Sequence, residues 1–430
     1  MGETKKLVSN SFIVIVGSLI ASVFSYLFNM LMGRFLGLNQ YGELTALMSL
    51  LVIVSVGGGA VLTIVMRYSG ELYARGLYRS LRRLIATFNK FVIAMASVIF
   101  LLGVFFSSPI ANFLKIGHPM YVIVMFAGLF FGFLIVVNRG ALQGSQRFVP
   151  LSISSIIESF LKLMLGLFFV FVGLKLLGAI FAIILGTAIT YLYTVLPISK
   201  LTHIPDNHPE NEDFRFDKKE MIKFSLPTTI AAVVLAVSIN LDILLVKHYF
   251  PSDIAGQYAA ISTISKIGLY LLSPIISVMF PMISEKITKG EKHFKILIGA
   301  TLLTAAGSAL MIGAYLVAPG LIVKILYGDK YLAAAFLLAP LGIYVMFYSL
   351  INLFANYFIA IKDFVFVSLY VVVIVIQIVM INLAHNSLLD VAKILISTTG
   401  LLFATLSVYY LITKRNQIGQ YFQGVYGQES

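Results

Sequence analysis

Residues 332–361, LAAAFLLAPLGIYVMFYSLINLFANYFIAI, run for thirty positions without an Asp, Glu, Lys or Arg. About 20 residues of helix, at a rise of 1.5 Å each, cross the roughly 30 Å hydrocarbon core of a bilayer. Backbone N–H and C=O groups find no water there, so such a segment must satisfy them internally, as an α-helix. Seven more charge-free runs repeat the pattern, at 7–33, 44–66, 91–114, 176–199, 296–323, 364–389 and 394–413. Four further spans fall between them, near 120–138, 150–173, 224–247 and 256–281, so the expected count is about twelve. Spans 150–173 and 176–196 are separated only by Gly173, Leu174 and Lys175, which predicts a tight helical hairpin.

Composition agrees with this reading. The chain is 60% hydrophobic and 11% charged, with a mean hydropathy of +0.98, whereas a soluble domain is roughly 45–50% apolar and 25% charged. The apolar stretch after Lys5 and Lys6 is far longer than the roughly 7–15 residues of a signal-peptide core, and it reads as an anchor. Cysteine is absent, which excludes disulfides, thiol catalysis and cysteine metal sites. Tryptophan is absent too, so tyrosine must supply any aromatic belt. The six histidines are scattered without metal-ligand spacing, and Gly57, Gly58 and Gly59 lack the Gly-Lys-Ser/Thr ending of a phosphate loop. No metal or organic cofactor is expected.

The net charge of +13 is distributed in a telling way. With the N-terminus placed inside, the loops alternate so that 22 of the 31 basic residues, Arg139 among them, face the inner side and 7, Lys247 among them, the outer side; Lys162 and Lys266 lie within spans. This is the positive-inside pattern. It predicts a multi-pass protein of the cytoplasmic membrane with both termini in the cytoplasm, its basic face against anionic lipid and not against nucleic acid.

The longest polar segment, residues 200–223, KLTHIPDNHPENEDFRFDKKEMIK, reads as a cytoplasmic linker between an N-lobe at 1–199, with spans 1–6, and a C-lobe at 224–430, with spans 7–12 and a short tail. The lobes resemble each other. A shift of 214 positions lays Leu31, Gly42 and Ala46 on Leu245, Gly256 and Ala260. Later, FSSPIANFLKIGHPMY aligns with LVAPGLIVKILYGDKY, with Pro109 on Pro319 and Tyr121 on Tyr331. Six spans per repeat give parallel topology, the arrangement of a carrier whose two lobes flank a central cleft.

Four stretches carry a family resemblance: GRFLGLNQYG at 33–42, RGALQGSQRF at 139–148, FSLPTTIAAVVLAVSINLDILLVKHYF at 224–250 and FPMISEKITKGE at 280–291. In this order they resemble the polysaccharide-biosynthesis flippases of the multidrug/oligosaccharidyl-lipid/polysaccharide exporter superfamily. The resemblance implies an all-α, MATE-like membrane fold of two six-helix lobes. It also implies a substrate, a polyprenyl-pyrophosphate-linked oligosaccharide flipped from the inner to the outer leaflet by alternating access, and polysaccharide-assembly enzymes as partners.

An ionisable group inside the bilayer costs roughly 2.5–3.5 kcal/mol or more, and it normally faces the protein interior or a wet cavity. Glu158 and Lys162, at i and i+4, share a helix face and can pair. They read either as a site for sugar hydroxyls, phosphate or a proton relay, or as a self-neutralising pair. Asp242 is the ion-coupling candidate, for H⁺ or Na⁺; its structural reading is a bond to a neighbouring helix through Lys266. In the family, spans 1, 2, 7 and 8 flank the cleft, so Arg34 and Lys266 could face a pyrophosphate, a fit for guanidinium and ammonium. Arg34 could equally snorkel to headgroups. Asn29, Asn138, Asn240, Asn352 and Asn356 complete the candidates, as cavity groups or as glue between helices.

Other classes fit less well. A cation-coupled multidrug exporter of the same superfamily usually carries an acidic residue in span 1, and here that span offers Asn29 and Arg34. A membrane polymerase or ligase needs a sizeable outer loop, and no outer loop exceeds about a dozen residues. A non-transporting scaffold in envelope assembly remains open.

Overall fold

The computed structural model describes residues 2–202 and 218–413. Among the described residues the elements are α1 (Gly2–Ala74), α2 (Tyr78–Phe105), α3 (Ser107–Phe113), α4 (Pro119–Ala127), α5 (Leu129–Gly144), α6 (Phe148–Phe171), α7 (Lys175–Leu201), α8 (Lys218–Tyr249), α9 (Ser252–Ser265), α10 (Ile267–Thr288), α11 (Phe294–Val317), α12 (Pro319–Leu326), a 3₁₀ helix (Asp329–Leu337), α13 (Leu338–Ala360), α14 (Val365–Leu383) and α15 (Leu388–Thr413). No strand occurs among them.

Eleven segments of the described residues are long and apolar enough to cross a membrane. The first of these, Ile13–Ala74, has 62 residues and is broken at Gly37, whose φ of 77° and ψ of 171° suit a residue without Cβ. Its two halves are the first two expected spans, which restores the count of twelve. The expected hairpin is present: α6 stops at Phe171 and α7 starts at Lys175, with Gly173 at φ 98° and Lys175 at φ 48° closing the turn.

The molecule divides into two compact units, Met1–Ala236 with Phe250–Gly256, and Val237–Tyr249 with Gln257–Ser430. The expected linker at 200–223 falls largely outside the described residues, as do Lys414 and Arg415. The segment Phe250–Gly256 belongs to the first unit for visible reasons. Lys115 Nζ donates to the carbonyl of Phe250 at 3.1 Å, and Gly256 packs so tightly that an added Cβ would sit 1.9 Å from the carbonyl oxygen of Leu38. A Cβ on Gly42 would in turn lie 3.1 Å from Cα of Gly256. The two glycines superposed by the internal repeat therefore touch each other.

Both units follow a long helix with a short one and a tight turn. In the first, α2 passes into α3 and Lys115 takes φ 48°; in the second, α11 passes into α12 and Gly328 takes φ 92°. Pro109 lies within α3 and Pro319 starts α12, so the aligned prolines occupy equivalent short helices.

Within the first unit, α6 lies between α1 and α7 and α5 lies on α1. Small residues permit each seam, because packing in lipid depends on close van der Waals approach. A Cβ on Gly140 would meet the Leu62 carbonyl at 3.0 Å, and one on Gly144 the Met66 carbonyl at 2.1 Å, so α5 lies directly on the backbone of α1. On α7, a Cβ at Gly186 would approach the backbone of α6 at Lys162 to 3.2 Å. On α6, one at Gly166 would reach the ring of Phe28 at 2.7 Å. In the second unit α13 is the most enclosed helix, packed against α10, α11 and α15.

Candidate functional site

The polar residues of the first unit converge on the middle of α6. Glu158 does not pair with Lys162, contrary to the spacing-based expectation. Its carboxylate instead contacts Nη2 of Arg139 on α5 at 2.7 Å and accepts a hydrogen bond from Thr187 Oγ1 on α7 at 3.0 Å. Arg139, assigned by charge alternation to an inner loop, lies within α5 and also donates through Nε to Ser154 Oγ at 3.0 Å. The planar guanidinium can address two partners at once, and α6 presents Ser154 and Glu158 one turn apart.

Lys162 meets α1 instead, its ammonium 4.5 Å from the centroid of the Phe28 ring. Phe28 is fully buried and is seated against Gly166, so a cation–π contact replaces the missing ion pair. Asn29, the next residue on α1, is half-buried and donates to the Ser25 carbonyl; Ser25 Oγ in turn donates to Ser159 Oγ at 3.2 Å. Arg139, Glu158 and Lys162 all keep partial exposure, with side-chain values of 19% and 29% for the first two. The cluster carries two cations and one carboxylate. It has a formal excess of one positive charge.

Asn138 is enclosed and donates to Thr194 Oγ1 at 2.9 Å, which makes it a link between α5 and α7. Arg34 is exposed on α1, a short distance before the Gly37 break.

The second unit holds a sealed counterpart. Asp242 on α8 is completely buried and takes three hydrogen bonds: from Tyr258 Oη at 3.1 Å, Ser262 Oγ at 2.8 Å and Lys266 Nζ at 3.3 Å. Its three partners stand at i, i+4 and i+8 on one face of α9 and at its end, where the chain breaks before α10. Buried charges require such complete pairing, and an anion reaching Lys266 would have to displace Asp242. Asn240 is half-buried two residues away and has its own contacts. Asn352 and Asn356 bond to each other on α13, Nδ2 of the second donating to Oδ1 and the carbonyl of the first. They continue a polar stripe begun by Tyr344, whose hydroxyl donates to the Ser238 carbonyl at 2.8 Å, and Tyr348. Lys247, assigned to an outer loop, lies in the last turn of α8 and is 1% exposed. Among the described residues no cluster of His, Asp and Glu could hold a metal ion.

The family model for polysaccharide biosynthesis protein matches residues 7–287. No curated protein sequence matches the chain. Among solved structures, an inward-facing multidrug resistance MATE family transporter of the MOP superfamily superposes with a TM-score of 0.76 at 12% identity, over 94% of this chain and 98% of that one. The lipid II flippase MurJ, in an inward closed conformation, gives 0.68 at 15% identity, over 94% and 87%. A MOP superfamily transporter from Pyrococcus furiosus, described as having a binding pocket of reversed polarity, gives 0.59 at 14% identity, over 94% of both chains. At these identities the likeness is one of fold, and the expected MATE-like architecture is correct. The chain is a multi-pass membrane protein that belongs to the polysaccharide biosynthesis protein family and has the helical fold of the MOP superfamily.

Proposed function

We propose that this protein carries a polyprenyl-pyrophosphate-linked oligosaccharide from the inner to the outer leaflet of the cytoplasmic membrane by alternating access, and that it does so as a transporter and not as an enzyme. The observation that carries the reading is the half-open cluster of Arg139, Lys162 and Glu158, cationic by one charge and set among hydroxyls at mid-helix. Guanidinium and ammonium suit a pyrophosphate, while Thr187, Ser154 and Asn29 suit sugar hydroxyls. Family membership and the fold shared with a lipid flippase support the same class of cargo. The 22-to-7 distribution of basic residues supports cytoplasmic termini. Asp242 is our candidate for coupling to H⁺ or Na⁺, and polysaccharide-assembly enzymes are the partners we expect.

The test is reconstitution in proteoliposomes with undecaprenyl-pyrophosphate-linked oligosaccharide, scored by arrival of sugar at the opposite leaflet. Transfer should require the protein and should fall about tenfold or more in Arg139→Ala or Lys162→Ala, each a loss comparable to one charge-assisted hydrogen bond. Movement of cationic dyes with no movement of the lipid-linked sugar would overturn the proposal in favour of drug export.

A further inference from the structure

A cleft of about 540 Å³ opens on the first unit between α2, α4, α6 and α7. Its size falls within the roughly 300–1,000 Å³ of small-molecule sites. All its lining side chains are apolar, among them Phe100, Ala127, Phe169, Phe181, Ile184 and Leu185. Close helix contacts build it. A Cβ on Gly178 would collide with Cβ of Phe169 at 2.7 Å, and one on Gly128 with Cγ1 of Ile184 at 2.8 Å. These glycines bring two of its walls to their present separation.

The position of the cleft ties it to the charged cluster. On α6, Glu158, Lys162 and Phe169 are separated by four and seven residues and so share one face. Phe169 lies about 10 Å along the helix from Lys162. On α7, Leu185 directly precedes Gly186 and Thr187, which contact α6 at Lys162 and Glu158. A cationic patch thus leads within two helical turns to a wholly apolar trough.

Resting on the carrier reading above, we propose that this trough holds the polyisoprenoid tail of the lipid-linked substrate while Arg139 and Lys162 hold its phosphate. Charge complementarity selects an anionic lipid. The prenyl chain that carries such a phosphate in the reading above leaves the cluster along α6 and meets a trough lined by Phe100, Phe169, Phe181 and branched aliphatic side chains, with no polar group.

The full-length protein in detergent would be tested for binding of undecaprenyl phosphate and of geranyl phosphate, which keeps the headgroup and shortens the tail. Ala127→Phe fills the trough. It should weaken undecaprenyl phosphate about tenfold or more, what roughly two buried methylenes are worth, and leave geranyl phosphate unchanged, with phosphatidylglycerol a poor competitor against the wild type. Should Ala127→Phe fail to fold, Phe169→Ala, which removes one wall, should show the same selective loss. Unaltered binding of the long chain by folded variants, equal loss of both prenyl phosphates, or displacement by equimolar phosphatidylglycerol would each overturn the assignment of the tail. Failure of the carrier reading is separately visible, as Arg139→Ala and Lys162→Ala proteins that bind both prenyl phosphates like the wild type.

Discussion

Lys266 Nζ lies 3.3 Å from Oδ1 of Asp242, a carboxylate from which water is wholly excluded. The two residues are 24 positions apart, and they join α8 to the point where α9 gives way to α10. The contrast with Glu158, whose side chain is 29% exposed and shared between an arginine and a threonine, separates a closed charge from an open one.

Removing one member of the closed pair should therefore be worse than removing both. Lys266→Met strands a buried carboxylate and should lower stability by about 3–5 kcal/mol. The double variant Asp242→Asn with Lys266→Met should recover much of that loss. Thermal unfolding in detergent would decide; a double variant no better than Lys266→Met would mean that the hydroxyls of Tyr258 and Ser262, and not the ammonium, set the stability of this site.

Adjacent residues on α5 should part company. Asn138→Ala removes a bond to Thr194 and should lower stability by about 1 kcal/mol, with transport per folded molecule unchanged. Arg139→Ala should leave more of the stability and much less of the transport. Paired measurements of unfolding and lipid-linked sugar transfer would separate the two effects.

Phe28 and Gly166 should show size compensation. Gly166→Ala places a methyl 2.7 Å from the Phe28 ring and should destabilise the α1–α6 seam. Phe28→Leu relieves that clash but takes the ring from beneath Lys162, a contact worth roughly 0.5–2 kcal/mol. The double variant should be less impaired than the sum of the singles, as judged by a double-mutant cycle of unfolding energies.

At the glycine crossing, Gly256→Ala should be the more damaging of two equivalent changes. Its methyl would meet a backbone oxygen at 1.9 Å, whereas that of Gly42→Ala would meet Cα at 3.1 Å. Yield of folded protein from matched expression gives the comparison, and equal yields would contradict this order.

The spans were legible in the sequence because lipid imposes a simple demand, long runs without charge, that no other environment makes. The short helices were legible as matching prolines, Pro109 and Pro319, though not as helices. Of the charged sites, the pair of Asp242 and Lys266 was legible in the sequence and is present at 3.3 Å, whereas the first unit's cluster was legible as residues but not as partnerships. The i,i+4 spacing of Glu158 and Lys162 says that they can meet; it does not say that a guanidinium on α5 will offer Glu158 a better-shaped partner. Charge alternation placed Arg139 in a loop because a cation near a span end resembles a loop cation, and its long side chain reaches back into the bundle. The other two partners of Asp242, Tyr258 and Ser262, stand at successive helical turns before Lys266, a spacing obscured by the ordinary abundance of Tyr and Ser in membrane helices.

The glycine seams among α1, α5, α6 and α7 have a mechanical consequence. Where backbone lies on backbone, as α7 on α6 at Gly186 and α5 on α1 at Gly140 and Gly144, no flexible side chain absorbs displacement. With Gly166 seated on the Phe28 ring, the four helices α1, α5, α6 and α7 should travel as one slab. Arg139, Glu158 and Thr187 would then act as a fixed ruler during turnover: probes placed across them should report constant separation through a cycle in which the rest of the machine changes shape.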